Sequence, residues 1–166
     1  MFDVRRSPEL KAAVFGLRRA NAEVRKGVNV QTRQEIGGRW KTAVESRAST
    51  NMERAIIVKG ARARAGTDRF SLLAATSRKP LRGGLVPAFE WAGGEFGARS
   101  RQAEVRTRSR KGKAYTAKKW INRQFKGRVK EGRIAYDAAS EIGTWAVAQW
   151  VQFIVDNYAK AGRKTN

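Results

Sequence analysis

The sequence predicts a single α+β domain over residues 1–166, in which a long N-terminal helix and a C-terminal helix pack on a small antiparallel sheet. Three observations predict it: apolar residues at helical spacing in the first third, short β-type runs in the middle, and an apolar final helix. A chain of this length buries roughly two-thirds of its unfolded surface, so it can form a core without disulfides or metals.

The first segment predicts a helix that begins at Pro8. Ser7 is a suitable N-cap, Pro8 fits the first helical position, and Glu9 lies where the helix dipole favours an anion. Apolar residues then recur at steps of three, four or seven on one stripe: Leu10, Val14, Leu17, Val24, Val28, Ile36, Trp40 and Val44. Because Gly27 and the Gly37-Gly38 pair weaken this pattern, we expect either one kinked helix or two helices in series.

The middle of the chain predicts the sheet. Residues 55–59 form a β-branched run, and after them Arg62 and Arg64 alternate with alanines. Residues 66–68 supply a turn, and residues 69–74 are expected to return as the partner strand.

A second pair of short runs is also expected to be extended. Residues 88–92 and 95–97 suit strands of the same sheet, with a bend or bulge at Gly93-Gly94 between them. Glu90 and Glu95 flank this bend and, with Asp68, form the one carboxylate group that could act as a catalytic site. Since no histidine or cysteine accompanies them, we expect these carboxylates to pair with neighbouring arginines instead.

Residues 99–133, which we call the basic arm, are the most biased part of the chain. They contain 14 lysine and arginine residues, opposed by Glu104 and Glu131 alone. We expect the arm to be either mobile or an extended hairpin, because packing it on itself costs electrostatic repulsion. Tyr115, Trp120 and Phe125 interleave with the cations; they suit stacking on unpaired bases, but anchoring of the arm to protein is the expected role.

The last helix is expected to run from about residue 138 to 159, with Asp137 as its cap. Its apolar residues spread over more than one side, so part of their cover is expected from another subunit or, alternatively, from the sheet and the N-terminal helix. The residues expected to form core and subunit packing are Trp145, Trp150, Phe153 and Ile154.

Composition excludes most enzyme chemistry. The chain has no cysteine and no histidine, which removes disulfides, thiolate zinc sites and histidine-based catalysis, and no phosphate-binding glycine loop is present. We therefore expect no catalytic residues, no metal and no cofactor. Charges at the N-terminus and the shortness of the longest apolar run predict a soluble protein made in the cytoplasm, without a membrane partner.

The net charge of +22, from 36 basic and 14 acidic residues, indicates a polyanionic or acidic partner. The residues expected to contact DNA or an acidic partner are those of the arm: Arg106, Arg108, Arg110, Lys111, Lys113, Lys118, Lys119 and Arg123. Phosphate contacts by such residues confer affinity without sequence information.

Two short motifs and the order of elements resemble those of a known family. Glu95-Phe96-Gly97 matches an acidic-aromatic-glycine triplet that closes a strand, and Gln124-Phe125 through Ala138-Ala139 matches a bulky stretch that enters an alanine-capped last helix. On these grounds residues 8–159 resemble the neck or tail-completion proteins of long-tailed bacteriophages, the family related to minor tail protein Z. Residues 49–52 depart from the proline-containing signal that precedes the first strand in that family.

The resemblance implies a virion component that joins head to tail around the DNA channel. It implies a homo-oligomeric ring, expected to be a hexamer, with adjoining connector and tail proteins as partners and assembly in the host cytoplasm. The basic arm is then expected to reach a neighbouring subunit or ring and to become ordered on assembly. Two alternatives remain: a non-catalytic nucleic-acid-binding protein of ribosomal or nucleoid type, and a carboxylate-dependent nuclease.

Overall fold

The computed structural model describes residues 8–66 and 69–163, and it confirms the α+β class. The first elements are helices α1 (Pro8–Arg19), α2 (Ala22–Gln31), α3 (Gly37–Arg47) and α4 (Asn51–Ile56). Strands β1 (Arg62–Ala65) and β2 (Phe70–Leu73), helix α5 (Pro87–Phe96), strands β3 (Arg101–Arg108) and β4 (Ala114–Ile121), and helix α6 (Ala135–Arg163) follow. The strands form two separate two-stranded antiparallel sheets, β1–β2 and β3–β4, instead of the one small sheet expected.

The N-terminal stripe folds as helices in series. The break between α1 and α2 lies at Asn21, whose side chain accepts a hydrogen bond from the Val24 N–H at 2.9 Å and so caps a new helix. A π-helical turn at Thr32–Ile36 separates α2 from α3, and the Thr32 hydroxyl donates to the Val28 carbonyl there. Gly27 lies inside α2, so the break falls at an Asn cap and not at the glycine. Ser7, the expected cap of α1, lies outside the described residues.

The prediction of a strand at residues 55–59 is wrong, because this run belongs to α4 and a following 3-10 turn at Val58–Gly60. Thr50 and Glu53 form a capping box that starts the helix: the Thr50 hydroxyl accepts from the Glu53 N–H, and the Glu53 carboxylate accepts from the Thr50 N–H. The β-branched side chains at 56–58 are buried, and their burial outweighs their preference for strands.

The β1–β2 hairpin is confirmed where the sequence placed it. Arg62 pairs with Leu73 and Ala65 with Phe70, and the Gly66 N–H donates to the Arg69 carbonyl to close the turn. Thr67 and Asp68, which the sequence assigned to this turn, lie outside the described residues.

The strands and bulge expected at residues 88–97 are also wrong, because the segment forms helix α5. Pro87 occupies the first turn, and the Glu90 carboxylate accepts from the Val86 N–H at 2.7 Å. Gly97, at a φ of +73°, ends the helix. Gly94 permits close packing of α5 on α4, since a Cβ there would lie 3.2 Å from Ile56. The glycine pair therefore lies inside a helix, not at a bulge.

Helix α6 is the central element of the fold. At 29 residues it is about 43 Å long, and its buried side chains contribute to two apolar clusters. The first cluster centres on Trp40, Val44, Ile56, Ile57, Ile134 and Ile142. The second centres on Leu17, Val24, Val28, Ile36, Trp150 and Phe153. The body of the protein is thus built from α1–α4, β1–β2 and α5 arranged along this helix.

Candidate functional site

Part of the basic arm is an ordered hairpin. Strands β3 and β4 pair in an unbroken antiparallel register. Arg101 lies opposite Ile121 at one end, and Arg108 lies opposite Ala114 at the other. At the tip, the Ser109 N–H donates to the Lys113 carbonyl at 2.8 Å, and Gly112 has a φ of +81°, which suits a glycine. The extended-hairpin expectation therefore describes residues 101–121, while residues 122–133 lead back to α6.

The β3–β4 hairpin projects from the body. Across the part of the chain that the structure describes, each strand packs closely against the other strand and against no other helix or strand to a comparable extent. Eight residues per strand extend about 26 Å. The hairpin is therefore an arm that reaches away from the core.

The register divides the hairpin into two unlike faces, because residues opposite each other in an antiparallel pair share a face. One face carries Arg106 and Arg108 on β3 and Lys118 on β4, together with Gln102, Glu104, Ala114, Thr116 and Trp120; we call it the cationic face. The other carries Ala103, Val105, Thr107, Tyr115, Ala117 and Ile121, with Arg101 and Lys119 near its base; we call it the apolar face.

The eight arm residues expected to contact DNA or an acidic partner are all exposed, but they do not form one cluster. Arg106, Arg108 and Lys118 share the cationic face, and Lys119 lies on the apolar face. Arg110, Lys111 and Lys113 surround the tip, between the two strands. Arg123 follows the hairpin, with its guanidinium 5.8 Å from the centre of the Trp120 ring. Alternation along a strand separates residues that are neighbours in sequence.

The base of the arm is fixed to the body by several contacts. The Ala98 N–H donates to the Lys126 carbonyl at 3.0 Å, and the Val129 N–H donates to the Phe96 carbonyl at 2.8 Å. Phe125 packs on Gly93 of α5, where a Cβ would lie 2.8 Å from its ring. Phe125 therefore anchors the arm to protein, as expected for it from the sequence.

An ion pair ties the arm to α4. The Lys126 ammonium lies 3.3 Å from the Glu53 carboxylate and also contacts the Ser49 hydroxyl. Burial by itself raises the pKa of Glu53, but hydrogen bonds from Ser49, Thr50 and Lys126 outweigh it and hold the pKa below its ordinary value. Glu53 therefore stays ionised and serves both the capping box and the arm.

Of the three carboxylates considered for catalysis, the two that the structure describes, Glu90 and Glu95, accept hydrogen bonds at helix ends. Glu95 is fully buried, and its carboxylate accepts hydrogen bonds from the backbone N–H groups of residues 133–136 at 2.9–3.1 Å. It thereby caps the N-terminus of α6 from a distant helix, a role the sequence assigned to Asp137. The expected pairing of Glu95 with arginine side chains is wrong for that reason. Glu90 is exposed and accepts from the Val86 N–H, and Asp68 lies outside the described residues.

Asp137 is exposed in the first turn of α6, and the helix begins at Ala135 instead of residue 138. Its carboxylate accepts from Arg47 at 2.5 Å, and Glu141 accepts from the same guanidinium. These contacts join α3 to α6, and they raise the pKa of Arg47, with the hydrogen bond to Asp137 as the largest cause.

The residues expected for core and subunit packing are mostly covered by the chain itself. Trp150, Phe153 and Ile154 are buried between α6 and the N-terminal helices, with Phe70 5.4 Å from Trp150 between ring centres. Trp145 is half-buried, and Arg39 lies over its ring at 4.2 Å. Of the two alternatives that the sequence left open, the sheet and the N-terminal helices, and not another subunit, therefore cover most of this apolar surface of α6.

A surface that sequence reasoning missed lies between α1 and α6. Val155 is 54% exposed, and Tyr158 donates a hydrogen bond to the Gly16 carbonyl beside it. Ala12, Ala13 and Val151 line the shallow groove here. The signal was the spread of apolar residues around α6, of which Val155 and Tyr158 form the outer side. We call this surface the α1–α6 patch.

Within residues 8–66 and 69–163 there is no group of three or more acidic side chains placed to hold a metal ion. No helix in that same part of the chain is long and apolar enough to cross a membrane. A search of family models, of curated proteins and of solved structures finds no match to this chain.

Proposed function

We propose that this protein is a structural subunit of a bacteriophage head-to-tail connector, of the neck or tail-completion type, which forms a ring around the DNA channel. The observation that carries the proposal is the β3–β4 hairpin, which leaves the body with an apolar face that no described element of its own chain covers. The resemblance to that family supports the same assignment through the stretch from Gln124 to Ala139 that enters the last helix. The Glu95-Phe96-Gly97 triplet does not add support, because it ends helix α5 and not a strand.

The hairpin is poorly suited to stand alone. A two-stranded hairpin is marginally stable in water unless a third element packs on it. On the apolar face, Ala103, Val105, Ala117 and Ile121 are only half-buried. A neighbouring subunit that covers this face supplies the missing layer, so the arm is suited to an assembled state.

A ring of identical subunits needs two different surfaces, because each subunit contacts its neighbours head to tail. The apolar face of the hairpin is one such surface. The α1–α6 patch is a second, and it lies toward the C-terminal part of α6, whereas the base of the arm contacts α4 and α5. Unlike surfaces on separate parts of a subunit are what a ring interface requires.

Catalysis has no part in the proposal. The two described carboxylates of the nuclease hypothesis, Glu90 and Glu95, accept hydrogen bonds from backbone N–H groups at helix ends. Their geometry supports structural capping, which is the role expected in an assembly protein.

The test is the oligomeric state of the full chain, measured by mass photometry and by two-dimensional electron-microscopy class averages. We expect the wild-type chain to form closed rings, namely hexamers. The double variant Ala103→Glu/Ala117→Glu, on the apolar face, should abolish them. Gln102→Glu with Thr116→Glu is the matched control, because it adds the same charge one residue away on the cationic face. A protein that stays monomeric at every concentration, or equal loss of rings in both variants, would contradict the proposal.

The alternative function is a non-catalytic nucleic-acid-binding protein of ribosomal or nucleoid type, and the cationic face favours it. The two functions differ in what the apolar face does. A ribosomal or nucleoid protein binds nucleic acid without forming closed rings, so the apolar-face variant would then leave its assembly and its binding unchanged.

A further inference from the structure

The cationic face of the hairpin is open to a polyanion. Arg106 and Arg108 are two positions apart on β3, so their side chains leave the same face about 7 Å apart. Lys118 lies on the same face, opposite Glu104, which is the sole acid of the hairpin. One acid against three cations leaves the face with a net positive charge, and the tip adds Arg110, Lys111 and Lys113.

Four acidic side chains of the body are held by contacts outside the hairpin. Glu53 caps α4 and pairs with Lys126, and Glu95 caps α6. Asp137 and Glu141 bind Arg47. None of these four carboxylates contacts the hairpin, so they do not neutralise its cationic face.

The side chains on the cationic face suit phosphates better than an acidic protein surface. Stable protein interfaces place aromatic or aliphatic anchors at their centre. On this face Trp120 is the one large apolar side chain, and Arg123 stacks on it near the base. Gln102 and Thr116 add neutral hydrogen-bond donors, which commonly contact phosphate oxygens.

The shape of the hairpin suits duplex DNA. Two strands lie about 4.8 Å apart, so the ribbon with its side chains is narrow enough for a major groove about 12 Å wide. Proteins that bind single strands stack successive bases on several aromatic rings. The cationic face offers only one such ring, at its base, and Tyr115 lies on the opposite face.

We propose that the cationic face and tip of the β3–β4 hairpin bind the phosphate backbone of double-stranded DNA without sequence preference, while the apolar face packs on protein. The inference rests on the proposed function for the presence of DNA beside the arm. Of the two partners expected for the basic residues, DNA and an acidic protein, it selects DNA, and it leaves the apolar face to a neighbouring protein.

The test is binding of the full chain to a labelled mixed-sequence duplex, followed by fluorescence anisotropy over a salt series. In Arg106→Gln/Arg108→Gln/Lys118→Gln, we expect duplex affinity at low salt to fall by roughly tenfold or more. The slope of log affinity against log salt should decrease by about 2.7, because three phosphate contacts are lost.

The matched control is Lys11→Gln/Lys26→Gln/Lys41→Gln, which removes the same charge from exposed positions on α1, α2 and α3. We expect it to change affinity by less than about threefold. Equal weakening in both triple variants would overturn the inference, because net charge alone would then explain binding. Tighter binding to polyglutamate or to a single strand than to the duplex would overturn it as well.

Ring formation separates this inference from the proposed function. The arm triple variant should still assemble into rings, since its apolar face is intact. A wild-type chain that binds duplex through the cationic face but never forms rings would support the inference and contradict the connector. A chain that forms rings but does not bind duplex at low salt would support the connector and contradict the inference.

Discussion

The body and the β3–β4 hairpin handle the same residue types in opposite ways. In the body, apolar side chains are buried along α6, and carboxylates such as Glu53 and Glu95 are bound to backbone N–H groups. In the hairpin, Val105 and Ala117 are only half-buried, and Arg106 and Arg108 face solvent. The core of the body is therefore covered by the chain itself, whereas the apolar and cationic side chains of the hairpin face solvent.

The largest expected effect of a single substitution lies in the body. Trp150→Ala should lower the free energy of unfolding by about 3–5 kcal/mol, because it leaves a large cavity between α6 and the N-terminal helices. Urea unfolding followed by far-ultraviolet circular dichroism measures it. Trp120→Ala, at an exposed site on the hairpin, is the control and should change stability by less than about 0.5 kcal/mol. Similar losses of stability in both variants would contradict the contrast between a packed body and an exposed hairpin.

Removal of the charge that caps α6 should have the next largest effect. Glu95→Gln should cost about 1–3 kcal/mol, because a buried amide accepts fewer and weaker hydrogen bonds than the carboxylate does from the four N–H groups of residues 133–136. Thermal unfolding measures the loss. Glu90→Gln, at an exposed position on the same helix, should cost less than about 1 kcal/mol. An unchanged melting temperature in Glu95→Gln would contradict the capping role.

The stability that Glu53 contributes, through its capping box and its ion pair with Lys126 of the arm, should depend on pH. The pKa of Glu53 is lower in the folded chain than in the unfolded chain, so its ionised form contributes stability above the unfolded pKa of about 4.3. That contribution is lost as the pH falls through the lower folded pKa. The stability difference between the wild type and Glu53→Gln should therefore be constant near neutral pH and shrink below about pH 4.

Parallel urea titrations of the two proteins across this acidic range measure the effect. Because other carboxylates titrate over the same interval, the difference between the two proteins is the relevant quantity. A difference that stays constant down to the lowest pH would show that the lowered pKa of Glu53 does not support the fold.

The smallest expected effect on stability comes from cutting the arm. Trypsin should cleave the isolated subunit first at the tip, at Arg110, Lys111 or Lys113, and leave the melting temperature of the body within about 2 °C. Mass spectrometry of the fragments identifies the site. In rings that hold duplex DNA the same bonds should resist cleavage, because the tip is then covered by the duplex. Equal cleavage of the isolated subunit and of the DNA-bound ring would contradict burial of the arm on assembly.

Patterns that depend on sequence neighbours predicted much of this fold. The start of α1 at Pro8 and the pairing of β1 with β2 follow from local signals. The strands expected at 55–59 and 88–97 were wrong for one shared reason. Short apolar runs fit a buried strand or a buried helix equally well, and the capping box at Thr50 and Glu53 and the proline at the start of α5 favoured helices.

The sequence by itself determined that this chain has a strongly cationic arm, no thiol or imidazole chemistry, and an apolar final helix. Those properties are sums over residues, and folding does not change them. Only the tertiary structure decided that Glu95 caps α6, because the two meet across about forty residues of chain. It alone divided the cations of the arm between faces, because the register of β3 on β4 sets which side chains share a side.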